Sequence, residues 1–495
     1  MLGLWPNHIA YQQQTAHTMS VIAMQTPFAL WQYEDAISKL YILNLDPLRA
    51  MLSPRYSSTG CPAKNQPEIF RSLVLMNELG YSLNEWVGLL PTVPVLQAAC
   101  GFLGKLPGIA SYYDFISRII KLDEKPRRKP KKKKPKKNYG NGKMPPKHPG
   151  IVQKIVDRIF AGRWFSYRPE RLLQEIFAKA CVQASIDLGL VPNRVSISGD
   201  GTCIKTGASP FGQRTCKCRD NGVYDCDCPR RFSDPNAAWG WDSHNKQYFY
   251  GYMGYFMSAY NSTAKLDLPL YLRLLDARRH DSVSAVVALS EFRELYPDLT
   301  IDTFISDSAS DNYATYKLLD AWNINAVIAL SSKNSGNNTY PLPIAINDNG
   351  VPICPGGHNM VYWGADANDR CRLKWRCPRA CGKCGPCEAC ADCSPSDYGR
   401  VVYTKPDWDL RLFTRIPRGS ARFKMKMKER TAAERVNNRI LHHYGVENSK
   451  VRGKKRISFF VTVAGFNVHL DAQLATLKAL GQFDFATVFG LNAAA

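Results

Sequence analysis

Three short stretches of this 495-residue chain place carboxylates where metal-assisted phosphoryl chemistry needs them. Ser-Ile-Ser-Gly-Asp200-Gly-Thr closes a run of β-type residues. Phe-Ile-Ser-Asp307-Ser-Ala-Ser-Asp311-Asn follows a second such run, and Arg430-Thr-Ala-Ala-Glu434-Arg-Val-Asn-Asn438-Arg439 opens a helix-type run. Two strand-end aspartates, Asp200 and Asp307, and one helical glutamate, Glu434, make an oxygen-donor set for a pair of Mg²⁺ (or Mn²⁺) ions. Mg²⁺ takes one or two carboxylates and completes its shell with water and substrate phosphate. Two such ions about 3.5–4 Å apart activate the attacking oxygen and stabilise the leaving one in an in-line phosphodiester displacement. Arg430, Glu434 and Asn438 are four apart and share one helix face. Val436 and Ile440 lie on another face and pack the helix down. Asp311 rivals Asp307 but reads as the cap of a helix from 312, and Asp281 likewise reads as a helix cap.

The elements that must position these residues follow from periodicity. Residues 1–66 show little pattern, and partial order is the expectation there. Residues 67–121 have helical spacing: Phe70, Leu73, Val74, Met76 and Leu79, then a helix capped by Ser82, then Tyr112, Phe115, Ile116 and Ile119 after the Pro-Gly turn at 107–108. This is a unit of helix-turn-helix size. A Lys/Pro linker covers 122–150 and cannot bury a core. From 151 to 190 one or two helices are expected. Strands are expected at 194–199, as an aromatic pair at 247–260 bending at Gly251 and Gly254, and at 268–276, 300–306 and 326–330. Helices are expected at 283–295, at 312–322 and from about 467 to 483. Strand and helix alternate as in an α/β mixed sheet of the RNase H-like kind, spanning 151–485.

Composition points to the substrate. Lys and Arg exceed Asp and Glu by 23, with a pI near 9.4. Segment 125–137 holds ten of the positive charges, so the rest of the chain still stands at +13. A polyanionic partner is implied, and DNA is the phosphodiester that fits. Lys131 and Lys132 are phosphate-contact candidates within that run. There is no secretory leader pattern, and the longest apolar run, 457–470, is too short to span a bilayer. A soluble, intracellular, nucleoid-associated protein without a membrane partner is expected.

Sixteen cysteines in a reducing compartment point to metal rather than disulfides. Cys216, Cys218, Cys226 and Cys228 form two CxC pairs, with Cys203 nearby, inside an insert at 203–228. Cys354, Cys371, Cys377, Cys381, Cys384, Cys387, Cys390 and Cys393 form a second insert at 354–393. These spacings suit tetrahedral thiolate ligation of structural Zn²⁺. The spacing of Cys381, Cys384, Cys387 and Cys390 is also that of an iron–sulfur site. Within the second insert, Trp375 among Arg372, Lys374, Arg376, Arg379 and Lys383 either stacks on an exposed DNA base or forms the small core of a zinc unit.

Together these motifs resemble the cut-and-paste insertion-sequence transposases of the DDE superfamily over about 65–480. The resemblance rests on Gly199-Asp200-Gly201-Thr202, on Arg278-Arg-His-Asp281-Ser, on Ser306-Asp307-Ser-Ala-Ser-Asp311-Asn and, most specifically, on the helix from Arg430 to Arg439. It implies an RNase H-like catalytic domain with Asp200, Asp307 and Glu434 as metal-binding catalytic residues. It implies Arg430, Asn438 and Arg439 as phosphate contacts and 67–121 as the DNA-binding unit. It further implies cleavage of transposon ends, their joining to target DNA, and a homodimer or higher synaptic assembly. A Tyr and a Lys usual in the family signature are here Met427 and Leu441; Arg439 or His442 stands near enough to supply a cation instead.

Overall fold

A computed structural model describes residues 1–491 apart from 121–127, 130–148, 164, 166–167, 244, 332–344, 367–370, 390–392 and 448–449. Lys131, Lys132, most of the basic linker and Cys390 therefore lie outside the described residues. At the centre is a mixed sheet built from β1 (Arg194–Lys205), β2 (Ala238–Asp242), β3 (Gln247–Asn261), β4 (Leu266–Asp276), β5 (Thr300–Ser306) and β6 (Asn325–Ile328). Its order is β2-β3-β1-β5-β6, and β4 pairs with β3 beyond the end of β2. The first strands are antiparallel meanders, whereas β5 runs parallel to β1 and β6 parallel to β5. Parallel neighbours need a crossover, supplied by helices Asp281–Leu295 and Tyr313–Ala321.

One detail of register makes the site. The pairing of β1 with β5 ends at Ser198↔Ile305, while its pairing with β3 continues to Lys205↔Gly251. From Gly199 onward β1 has no strand on its β5 side. The strand is thus longer than 194–199, because β3 alone suffices to carry it on. The segment 247–260 is likewise one continuous strand rather than a bent pair. Gly251 does not bend it; a Cβ there would lie 2.1 Å from the carbonyl oxygen of Ile204, so the glycine permits close backbone approach.

Residues 1–60 are ordered, contrary to expectation. Helices His8–Gln25, Glu34–Ile42 and Asp46–Leu52 bury Tyr11, Met19, Ile37, Leu40 and Leu48. Helix His8–Gln25 buries only the narrow stripe Tyr11, Thr15, Met19 and Ala23, mixed in type, which is why no apolar period shows in the sequence. Helices Gln66–Glu78, Leu83–Leu89 with its Ser82–Glu85 capping box, and Ile109–Ile120 appear as expected, with Pro94–Cys100 in addition. Between 151 and 190 there are helices Ile151–Phe160 and Arg171–Phe177, a π turn Ala178–Val182 and Gln183–Asp187.

These helices do not stand apart from the sheet. A single hydrophobic core runs from Trp5 and Met19 through Phe70 and Phe115 to Tyr255, Leu272 and Phe466. Its axis is helix Lys454–Ala479, much longer than expected and buried along its middle. Asn467 donates to the Val74 carbonyl at 3.1 Å, and His469 sits between the Ser185 hydroxyl, at 2.8 Å, and the Pro269 carbonyl, at 2.7 Å. Among the described residues no helix is long and apolar enough to cross a membrane. The second cysteine insert has its own sheet, β7 (Val361–Asp366), β8 (Arg372–Arg376) and β9 (Val401–Thr404), over a separate small core containing Val351, Leu373, Trp375 and Phe413.

Candidate active site and cysteine clusters

Asp200 lies on the part of β1 that β5 leaves uncovered, and Asp307 immediately follows β5. The helix Thr431–Asn438 packs across β1, β3 and β4 and brings in Glu434. Ala432, Ala433, Val436 and Ile440 are its buried face, as the spacing requires. The three expected carboxylates lie in one neighbourhood, where the charges of Asp307 and Glu434 both act on Asp200. Asp200 Oδ2 accepts from Asn437 Nδ2 at 2.9 Å, and Asp307 Oδ1 accepts from the Ala309 amide at 3.0 Å. Glu434 is half exposed and paired with Arg430 at 2.8 Å.

The electrostatics are those of a site short of positive charge. Burial, followed by the charges of Asp281, Asp307 and Glu434, pushes the Asp200 carboxyl up to about 7, and Arg430 only partly opposes them. Asp281 is pushed up to about 6, by burial and then by Asp307. A hard dication is the species that relieves such crowding, and every donor present is oxygen. The residues thus fit Mg²⁺ or Mn²⁺ in chemistry. Three of these carboxylates do not yet draw to within 4.8 Å of one another, which among the described residues only one cysteine set does.

Several expected roles are corrected. The amide that meets Asp200 is Asn437, which is buried; Asn438, one residue further round the helix, is exposed. Arg439 pairs with Asp471 at 2.7 Å, and His442 lies 3.1 Å from Glu447, so each has an acidic partner within the chain. Leu441 is buried and Met427 packs beside Ile305 and Val327. Asp311 is not the cap of the helix that follows it. Asn312 caps Tyr313–Ala321, while Asp311 is locked to Arg411 at 2.8 Å, to the Tyr316 hydroxyl and to the Ser331 amide. Asp281 is not a cap either: His280 fills that place, its Nδ1 accepting from the Ser282 amide at 3.3 Å. A cation source that periodicity did not single out is the helix Ala421–Lys428, where Arg422, Lys424 and Lys428 are exposed just before Arg430.

The first cysteine set is compact. The ligand atoms of Cys216, Cys218, Cys226 and Cys228 all lie within 4.8 Å of one another, with Cys216–Cys226 and Cys218–Cys228 at 3.5 Å. Tetrahedral Zn–S bonds of ~2.3 Å put sulfurs about 3.8 Å apart, so the four fit Zn²⁺. The Cys218 amide and then the neighbouring thiols hold Cys216 down to about 7, while Cys218 and Cys228 of the same set are pushed up. Cys203 is a strand residue of β1 outside this set.

The second set is looser. Cys354 and Cys377 are buried, and Cys384 is raised by burial and then by Cys377, Cys387 and Cys354, which gathers these four. Cys387 Sγ sits 2.4 Å from where a Cβ on Gly356 would be, against the turn that follows Cys354. Cys371 is exposed at the opposite end of β8 from Cys377. At ~3.3 Å per residue the strand separates the two by about 20 Å, so they do not share an ion. Cys381 and Cys393 are half-buried nearby. Trp375 is 2% exposed and donates to Thr404 Oγ1 at 2.9 Å, which makes it the core of this unit and not a stacking platform.

Residues 353–470 match the family described as the transposase DDE domain. The match takes in the second cysteine insert, helix Thr431–Asn438 with Glu434 and the first part of Lys454–Ala479. It supports the resemblance to DDE-superfamily transposases. No curated protein matches the chain.

Proposed function

We propose that the protein is a DNA transposase that cuts the ends of its element and joins them to target DNA, with Asp200, Asp307 and Glu434 holding a pair of Mg²⁺ or Mn²⁺ ions. The observation that carries this reading is Asp200, half-buried among acidic neighbours on the open half of β1 with Asn437 as its hydrogen-bond partner. The strand order and the parallel β1–β5–β6 half support an RNase H-like domain around it. Bound ions would supply Lewis acidity at the scissile phosphate, activating the attacking oxygen and stabilising the leaving one. The chain's part is positioning. Asn437 fixes the Asp200 carboxylate, Arg430 holds Glu434 until substrate arrives, and Arg422, Lys424 and Lys428 line the approach with positive charge for the DNA backbone. Hydrolysis places water's oxygen on phosphorus and frees a 3′-hydroxyl. That hydroxyl then attacks a target phosphodiester, displacing its 3′ oxygen.

End recognition is assigned to the helices of 67–121, with counterion-releasing phosphate contacts from 125–137. A homodimer or higher assembly would bring two ends together. Structural Zn²⁺ would order the cysteine inserts, which lack extensive cores of their own. The test is an assay of nicking and joining on DNA carrying the element's ends, with Mg²⁺. Cleavage and joining that vanish together in Asp200→Ala support the proposal. Cleavage without joining by the wild type would make the protein a metal-dependent nuclease. Binding without either would make it a DNA-binding relative.

A further inference from the structure

The Gly-Asp-Gly sequence around Asp200 has a structural cause. Alternate residues of β1 face opposite sides, so Gly199 and Gly201 share the face opposite Asp200. A Cβ on Gly201 would lie 2.3 Å from Asp281 Oδ1, and a Cβ on Gly199 would lie 2.3 Å from the Tyr255 hydroxyl. Neither glycine has a positive φ, so the backbone does not demand them. They are there to let an acidic and a phenolic group close on the strand. Both groups are unsatisfied: Asp281 Oδ1 is buried without a hydrogen-bond partner, and so is the hydroxyl of Tyr255, which is 1% exposed. Asp281 is the foremost charge acting on that hydroxyl, followed by Asp200 and Asp307. A buried carboxylate oxygen left without any donor costs stability unless something else meets it.

We propose that Asp281 is a fourth carboxylate ligand of the cation site, reaching it through Oδ1 across the open edge of β1. Because β5 stops at Ser306, the edge of β1 beyond Ser198 is left open, with Asp200 on one face of the strand, Asp281 against the other at Gly201, and Asp307 at the end of β5. Asp281 stands in the first turn of its helix, and His280 does the capping, which leaves the carboxylate for another partner. The inference rests on the cleft being a divalent-cation site, and the experiment separates the two.

Mn²⁺ binding to the full chain is measured by calorimetry and electron paramagnetic resonance, without DNA. Asp281→Asn should weaken binding at least tenfold, as should Asp200→Asn, while Asp320→Asn on the surface leaves it unchanged. At pH 8 without metal, Asp281→Asn should melt above wild type, because like charges are relieved; a helix-stabilising role would lower the melting temperature instead. Gly201→Ala provides a route that leaves the carboxylate intact. It should displace Asp281 and weaken Mn²⁺ binding, and adding it to Asp281→Asn should cost nothing more. Wild-type affinity in folded Asp281→Asn, with binding lost in Asp200→Asn, would overturn the fourth ligand and leave the cation site standing. Wild-type affinity in both would overturn the cation site as well.

Discussion

Asp307 and Asp311 are four residues apart, yet they have opposite environments. Asp311 is fully enclosed and met on all sides, by the Arg411 guanidinium, the Tyr316 hydroxyl and the Ser331 amide. Asp307 has the Ala309 amide and otherwise neighbours Asp200 and Asp281, two more carboxylates whose pKa values burial and then nearby acidic charge push up. The same chemical group is a structural pin in one place and an unmet demand for positive charge in the other. What distinguishes them is the supply of donors. The loop carrying Arg411 and Arg418 folds over Asp311, while β5 ends before it can cover Asp200.

The comparison breaks most sharply at the cleft. Asp200→Ala, Asp307→Ala and Glu434→Ala should each reduce DNA cleavage by more than the ~10–100-fold expected for loss of an outer-shell partner, without lowering the melting temperature. A variant that still cuts at the wild-type rate removes its residue from the site. Asp311→Ala should do the reverse. It strands Arg411 in the interior and should cost about 3–5 kcal/mol in urea unfolding, whereas Asp307→Ala should cost far less.

The cysteine sets sharpen the contrast in a second chemistry. Purified protein should contain zinc by elemental analysis, and Cys218→Ser should lose one equivalent. Chelation should open the loop around 216–228 to protease while the sheet stays resistant; a metal-free protein with that loop still resistant would sink the zinc assignment. The smallest effect concerns His469. Burial holds its pKa down to about 4, against 6.5 in the unfolded chain. The unfolded state therefore binds more protons between those values, so stability is fully present above about 6.5 and is lost as pH falls toward 4. The loss should be on the order of 1–3 kcal/mol. In His469→Gln, the fall in melting temperature between pH 7 and pH 5 should shrink.

The placement of the three carboxylates on strand and helix was legible because its signal is local. Asp200 and Asp307 follow β-type runs, and Glu434 sits in a helix with an apolar stripe at Val436 and Ile440, so strand ends and one helix face could be named from spacing alone. The CxC pairs were legible for the same reason: ligands close in sequence are close in space. The boundaries of the expected strands came within a few residues except where a strand leans on a neighbour distant in sequence, and strand β2 at Ala238–Asp242 was not expected. Strand β1 is longer than its own residues announce because β3 supports it, and β3 remains unbent at two glycines because the backbone of β1 runs close beneath one of them.

Tertiary structure decided the rest. Whether Asp281 caps a helix or faces Asp200 depends on how helix Asp281–Leu295 meets β1, which periodicity does not carry. Asn437 rather than Asn438 reaches Asp200 because of the roll of its helix on the sheet, a matter of about 100° per residue. Residues 1–60 look patternless because the stripe they bury is narrow and mixed, and it is the long helix Lys454–Ala479, some four hundred positions away, that unites the helical layer and the sheet in one core. Residue types determined which groups could hold metal and where elements begin. Only the folded chain decided which of those groups were left without partners, since that depends on donors brought in from elsewhere.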